Sequence, residues 1–283
     1  MKEAMFYEKK DGLNTQCHLC PHNCLIADGR VGICGVRENR KGTLYSLVYE
    51  QTTSVALDPI EKKPLYHFHP GENILSLGTK GCNLKCLFCQ NWTISQDLKA
   101  ATYKITSEAV IEKAKQLHSF GIAYTYNEPF IWYEFVYETA RLAKKEGLEN
   151  VLVTNGFVNM EPLKQLLPYI GAMNIDLKSI AEEFYINTCK GKLTPVLETI
   201  KESHKQCHIE LTNLIIPSLN DKEENFIELA DWIYDNLGDA VPLHFSRYFP
   251  CCKLDFPPTP VETLKKAERI AKQKLKYVYL GNV

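Results

Sequence analysis

The chain is 283 residues long, 45% hydrophobic and 24% charged, which suits one large α/β domain or such a domain carrying a small module. Its 33 basic and 34 acidic residues leave a formal net charge of −1, so no broad surface for nucleic acid is expected. The N-terminal stretch MKEAMFYEKKDGLN has no apolar signal-type core, and no apolar run approaches a membrane span, so a cytoplasmic protein without membrane contact is expected.

Residues 1–70 lack regular periodicity and are expected to form an N-terminal Cys-rich extension with a connector. Four of the chain's eleven cysteines, Cys17, Cys20, Cys24 and Cys34, fall here in a C-x2-C-x3-C-x9-C pattern with Pro21 after Cys20. Without an export signal, an odd cysteine count favours metal ligation or thiol chemistry over disulfides. Four thiolates within eighteen residues suit either a structural zinc or an auxiliary iron–sulfur cluster, with His18 and His22 as substitute ligands. TLYSLVYEQ reads as a short β segment and DPIEKKPLYHFHPG as a turn-rich connector. Within it Glu61-Lys62-Lys63 is expected to be solvated surface, and His67 and His69 to pack or hydrogen-bond.

From residue 71 to 283 short apolar runs alternate with segments of helical period. The runs are NILSLGT (73–79), GIAYTYNE (121–128), NVLVTNG (150–156), AMNIDLK (172–178), HIELTNLII (208–216) and VPLHFSRY (241–248), with a last strand near 277–282. Between two of them DKEENFIELADWIYDNLG predicts a helix capped by Asp221, with Glu224 three residues on and Gly238 as its stop. TPVETLKKAERIAKQ predicts another, with Thr259 as cap, Pro260 at its first position and Glu262 closing a capping box. Strands that alternate with helices in this way read as a parallel sheet or barrel of βα units, whose active site lies at the C-terminal strand ends.

The loop after the first of these strands, GCNLKCLFCQN, sets Cys82, Cys86 and Cys89 in a C-x3-C-x2-C pattern. A structural zinc is closed by four ligands. A cubane iron–sulfur cluster with only three thiolates keeps one iron open to a non-protein ligand. Elsewhere, His208 and Glu210 with Cys251 and Cys252 lack the P-C-x-x-C of a zinc deaminase, so a core or strand-edge role is expected there. No dinucleotide fingerprint or P-loop is present.

The segment GTKGCNLKCLFCQN resembles the signature of the radical S-adenosylmethionine (SAM) superfamily. That resemblance implies a partial (β/α)6 TIM-type barrel, a [4Fe-4S] cluster on Cys82, Cys86 and Cys89, and SAM chelating the open iron. Glu128 in TYNEP then stands where the family contacts the methionine amino group, although Tyr126 and Asn127 replace the family's glycines. Thr154 and Asn155 end the third strand. NIDLK resembles the D-x-K strand end of the pyruvate formate-lyase activase-like branch, making Asp176 and Lys178 candidates for the SAM ribose and carboxylate. His244 and Arg247 are candidates for SAM or substrate.

CHLCPHNC, GICGVREN, DPIEKKPLYHF, QNWTISQ, YTYNEP and HFSRYFP together resemble the AmmeMemoRadiSam-system radical SAM enzymes, activase-like proteins encoded beside Memo-like and AMMECR-type proteins. The implied activity is reductive cleavage of SAM to a 5′-deoxyadenosyl radical that takes hydrogen from a protein or small-molecule substrate. A flavodoxin- or ferredoxin-like electron donor and Memo-like or AMMECR-type partners follow from the same resemblance. That family's pattern continues into a C-terminal C-x2-C segment, whereas this sequence ends at YVYLGNV, so the tail's role is expected to be missing. Two alternatives stay open: transfer of a 3-amino-3-carboxypropyl group from SAM, and a zinc-stabilised interaction scaffold without radical chemistry.

Overall fold

The computed structural model describes residues 1–283. One large sheet dominates, built from β1 (Ser54–Pro59), β2 (Asn73–Gly78), β3 (Gly121–Tyr124), β4 (Glu149–Thr154), β5 (Ala172–Asp176), β6 (His208–Ile215), β7 (Leu243–Arg247) and β8 (Val278–Gly281). Their spatial order follows the chain from β1 at one edge to β8 at the other. Strands β2 to β8 run parallel, and β1 pairs antiparallel with β2. The strands read from sequence are all present. The Ser54–Pro59 strand was not expected, and through it the 1–70 segment supplies one edge of the large sheet.

Six principal helices lie between the strands: α1 (Ser107–Gln116), α2 (Tyr133–Lys145), α3 (Met160–Leu166), α4 (Leu193–His204), α5 (Glu223–Leu237) and α6 (Val261–Ala271). In α2 the buried positions Tyr133, Val136, Ala140 and Ala143 repeat at three- and four-residue steps, which is the stripe a helix turns to a sheet. Both proposed helix caps are corrected. Helix α5 starts two residues after Asp221, whose carboxylate accepts from the Ser218 N–H instead. Thr259 donates its hydroxyl to the Ile215 carbonyl at 2.6 Å and so ties α6 to the end of β6. Gly238, at φ 89°, does end α5.

Alternation along each strand sorts its side chains onto two faces. In β6, Ile209, Leu211 and Ile215 are buried in the main core, while Thr212 and Leu214 line a large cavity on the other face. That cavity face is polar higher up and small at its floor. Ala123, Val151 and Ala172 form the floor, and Ile60 and Leu65 of the connector pack onto it with Ile74. The connector is therefore a plug. The Asn174 amide donates to the Pro64 carbonyl at 2.8 Å, and the His67 N–H to Glu210 at 2.8 Å. Lys63 is corrected accordingly: only 3% exposed, it pairs with Asp58 of β1 at 2.8 Å, while Lys62 stays at the surface.

The N-terminal residues form two small antiparallel sheets, one of Lys2–Glu3, Thr43–Ser46 and Arg37–Arg40, the other of Tyr7–Lys9, Thr15–Cys17 and Leu25–Ile26. They dock on α2 through a buried ion pair between Arg37 and Glu134, and the Met5 N–H donates to the same carboxylate at 2.8 Å.

Candidate functional site

The C-terminal ends of the parallel strands open on a cavity with about 1790 Å³ of empty space, counting its mouth. Cys82, Cys86 and Cys89 all line it, carried on the loop that follows β2. Four contacts hold that loop. Leu84 and Asn155 point N–H groups at the Cys82 sulfur from 3.4 and 3.6 Å. Ser95 sits 3.0 Å from the Cys89 sulfur, and the Gln96 amide donates to the Cys86 carbonyl at 2.9 Å. Donors aimed at sulfur suit thiolate ligands, whose negative charge they offset.

Burial pushes the Cys82 thiol up, so it ionises when an electropositive centre takes its proton's place. Cys86 is pushed well up by the hydrogen bond its thiol donates to the Cys189 sulfur and by burial. No motif or spacing singles out Cys189. It ends a short π-helical turn, Tyr185–Cys189, on which the cysteine loop rests through Lys85 N–H to Cys189 carbonyl at 2.8 Å and Leu87 N–H to Thr188 carbonyl at 3.0 Å. No three His, Cys, Asp or Glu side chains converge closely enough to chelate a single ion. Three thiols lining one cavity are the ligands that a multi-iron cluster bound by one thiolate per iron would use.

Of the eight residues proposed to bind cofactor, Asn127, Glu128, Thr154, Asn155, Asp176, Lys178 and His244 line this cavity. Arg247 does not. Its guanidinium donates to the Thr259 carbonyl at 2.8 Å and lies over the Phe249 ring, so its proposed role at the site is corrected. The cause is strand parity: His244 and Ser246 of β7 line the cavity, and Arg247 falls on the alternate face.

Glu128 sits at the centre of the polar group. Its carboxylate accepts from the Thr154 hydroxyl at 2.7 Å, the Asn155 N–H at 2.8 Å and the Phe130 N–H at 3.0 Å. Burial pushes it up to about 7 against the pull of those bonds, which makes it a receptive partner for a cation. Asn127 has its side chain committed to backbone: it accepts from the Thr79 N–H at 3.1 Å and donates to the Gly81 carbonyl at 2.9 Å. Tyr126, at φ 70°, holds a left-handed conformation that a bulky residue adopts only when its surroundings impose it. Its hydroxyl donates to Asp58 at 2.8 Å. Across the cavity, the Lys178 ammonium pairs with Asp176 at 2.6 Å.

Deeper in, Glu210 is fully buried and accepts from His244 at 2.6 Å and His208 at 3.0 Å. Burial alone would raise its pKa, but these bonds and those from the Tyr66 and His67 backbone hold it at about 2. Tyr66 packs edge-on against the His244 ring at 4.7 Å. Lys63, Tyr66, Thr212 and Ser246 line the cavity without having been foreseen. Inward parity along β6 and β7 would have found Thr212 and Ser246. Lys63 and Tyr66 arrive on the irregular connector, where no period marks them.

Parallel strands whose ends surround a three-thiol loop define a mixed α/β protein built for a cofactor held at the strand ends. The chain belongs to the radical SAM superfamily, whose family model matches residues 76–233. It is 48% identical to the uncharacterized protein MJ0808 of Methanocaldococcus jannaschii, over 100% of this chain and 86% of that protein. It is 25% identical to pyruvate formate-lyase 1-activating enzyme of Escherichia coli K12, over 60% of this chain and 71% of that one. Among solved structures, Streptococcus suis SuiB bound to S-adenosylmethionine shares the fold at TM-score 0.58 and 13% identity, covering 74% of this chain and 52% of SuiB. A domain of pyruvate-formate lyase-activating enzyme from Bacteroides vulgatus matches at TM-score 0.50 and 17% identity, covering 57% of this chain and 99% of that one. No helix is long and apolar enough to cross a membrane.

Proposed function

We propose that this chain cleaves SAM reductively and uses the resulting 5′-deoxyadenosyl radical to abstract hydrogen from a substrate, in the manner of an activase-like oxidoreductase of the AmmeMemoRadiSam branch. The observation that carries this reading is the convergence of Cys82, Cys86 and Cys89 with Glu128, Asp176 and Lys178 on one cavity. Cys82, Cys86 and Cys89 would hold the [4Fe-4S] cluster, and the donors already aimed at their sulfurs fit that group. When bound, such a cluster supplies the single electron that breaks a C–S bond of the sulfonium.

The remaining chemistry falls to the protein. Glu128 would accept the ammonium of the SAM methionine, and its three donated bonds fix its carboxylate in place. Lys178 and Asp176 would take the SAM carboxylate and ribose, exchanging their mutual pairing for the ligand. The connector plug and the strands' inner faces, wrapped as a partial barrel, would keep bulk water from the radical. A protein glycine or a small molecule would present its C–H bond at the mouth. The electron donor is then a flavodoxin- or ferredoxin-like protein, and Memo-like or AMMECR-type proteins are the partners to examine.

The test is anaerobic purification and cluster reconstitution, then SAM with dithionite. Formation of 5′-deoxyadenosine is expected, together with its loss in Cys86→Ala. Methylthioadenosine in its place would indicate 3-amino-3-carboxypropyl chemistry. A colourless protein holding only zinc would overturn the enzyme reading in favour of a scaffold.

A further inference from the structure

The N-terminal cysteines form a second site, separate from the cavity at the strand ends. Cys17 ends the strand Thr15–Cys17, Cys20 and Cys24 lie on the turn leading to Leu25–Ile26, and Cys34 lies on the tight turn closed by the Gly35 N–H and the Gly32 carbonyl at 2.8 Å. The hairpin is closed by the Cys17 N–H and the Cys24 carbonyl at 2.9 Å. All four cysteines are free, and all four line one chamber with about 330 Å³ of empty space, counting its mouth. Leu19, Ile26, Ile33 and Ile131 supply its apolar walls.

Two further polar side chains, His22 and Arg37, also line this chamber. Arg37 is 1% exposed; its Nη1 lies 4.0 Å from the Cys17 sulfur, and its Nε is buried with no hydrogen-bond partner. A buried guanidinium N–H without a partner is costly. An anionic, sulfur-rich centre in the chamber would give this buried guanidinium, already beside the Cys17 sulfur, further acceptors.

We propose that Cys17, Cys20, Cys24 and Cys34 hold a second iron–sulfur cluster of the four-iron type, with every iron taken by a protein thiolate. A zinc ion would draw all four sulfurs to about 2.3 Å from one point. The larger four-iron core needs a chamber bordered by its thiolates, and Cys17, Cys20, Cys24 and Cys34 all border one here. The spacing likewise lacks the two C-x2-C knuckles of common zinc modules.

The second site touches the first through the backbone. The His22 ring, between Cys20 and Cys24, bonds the carbonyl of Asn83 at 2.7 Å, one residue from Cys82. Gly81, at φ 93°, runs so close to the other turn that a Cβ there would lie 2.9 Å from the Cys34 carbonyl. The fourth ligand that Cys82, Cys86 and Cys89 lack is thus not supplied by this set, whose four thiols serve their own centre.

The test uses the full chain with Cys82, Cys86 and Cys89 all changed to Ala, reconstituted anaerobically with iron and sulfide. Wild type should hold about eight irons per chain and the triple variant about four, still brown and with a four-iron Mössbauer signature. Adding SAM to wild type should perturb one reduced cluster's EPR signal and leave the other unchanged. Should the triple variant fail to fold by circular dichroism, the SAM-indifferent cluster of wild type decides instead. Zinc in the N-terminal site, about two irons, or no metal in the folded variant would overturn the proposal. None of these outcomes bears on whether wild type cleaves SAM, so the two readings fail separately.

Discussion

At the scale of single residues, Glu128 and Arg247 make opposite predictions. Glu128→Gln keeps the size of the side chain but turns an NH2 group toward one of three donors, from Thr154, Asn155 and Phe130. It also removes the charge that would meet the SAM ammonium. Loss of a charge-assisted bond of about 1.5–3 kcal/mol predicts SAM binding weakened about tenfold or more, measured by equilibrium dialysis on the reconstituted protein. Arg247→Ala should leave that affinity within about twofold, because Arg247 stacks on Phe249 outside the cavity, and should cost about 1 kcal/mol of stability from its bond to Thr259. Most of the polar strand-end residues could be read from sequence, because a polar side chain at the end of an apolar run has few other reasons to be there. Arg247 misled because position at the strand end was read without parity. Cys189 stayed hidden because its partner Cys86 lies on a different loop, and only the fold brings the two together.

At the scale of elements, the cavity floor depends on a charged residue inside a strand. Glu210 in β6 gathers His244, His208 and the His67 N–H, so it joins β7 and the connector plug to the sheet. Its pKa is held at about 2, below the ordinary carboxylate value, so its stabilisation is complete above about pH 4.3 and is lost as pH falls through about 2. Glu210→Gln should therefore lower the unfolding free energy of cluster-free protein by about 2 kcal/mol at pH 7. The gap between variant and wild type should close as urea titrations move from pH 5 toward pH 2. A gap that stays constant would show that ionisation of Glu210 does not hold the plug. Leu65→Ala tests the plug's apolar half and should cost about 2–5 kcal/mol, since Leu65 is fully buried against Ile74, Ala123, Val151 and Ala172. The parallel strands were plain in the sequence because each is a continuous apolar run between turn signals. Ser54–Pro59 was not, because an edge strand bearing Asp58 and ending in Pro59 looks like a loop. The helix caps failed for a related reason: Asp221 and Thr259 have the right chemistry, but tertiary partners claim their side chains.

At the scale of the whole molecule, the N-terminal module and the sheet are joined through α2. Arg37 and Glu134 are each 1% exposed and pair with each other, and Trp132 on the turn before α2 donates its indole N–H to the Val48 carbonyl at 2.6 Å. A buried ion pair is costly to break from one side, about 3–5 kcal/mol, because the remaining charge has no partner, whereas apolar replacement of both partners is often tolerated. Arg37→Met and Glu134→Leu should each destabilise by about that much, and the double variant should lose much less than the sum of the two. Urea unfolding of the metal-loaded protein, followed by tryptophan fluorescence, measures this, since Trp132 lies at the junction. If the single losses simply add, the pair does not couple module to sheet, and docking rests on apolar contacts such as Phe6 against Tyr133, whose rings meet edge-on at 5.0 Å. Coupling would mean that the thiol chamber beside Arg37 and the three-thiol loop beside Asn83 are held in one fixed relation. The double variant separates that relation from stability: it should fold while lacking the Arg37 donor at the chamber wall, so its N-terminal site should bind iron less tightly than wild type. Equal iron retention by the two under chelator challenge would show that Arg37 serves docking alone.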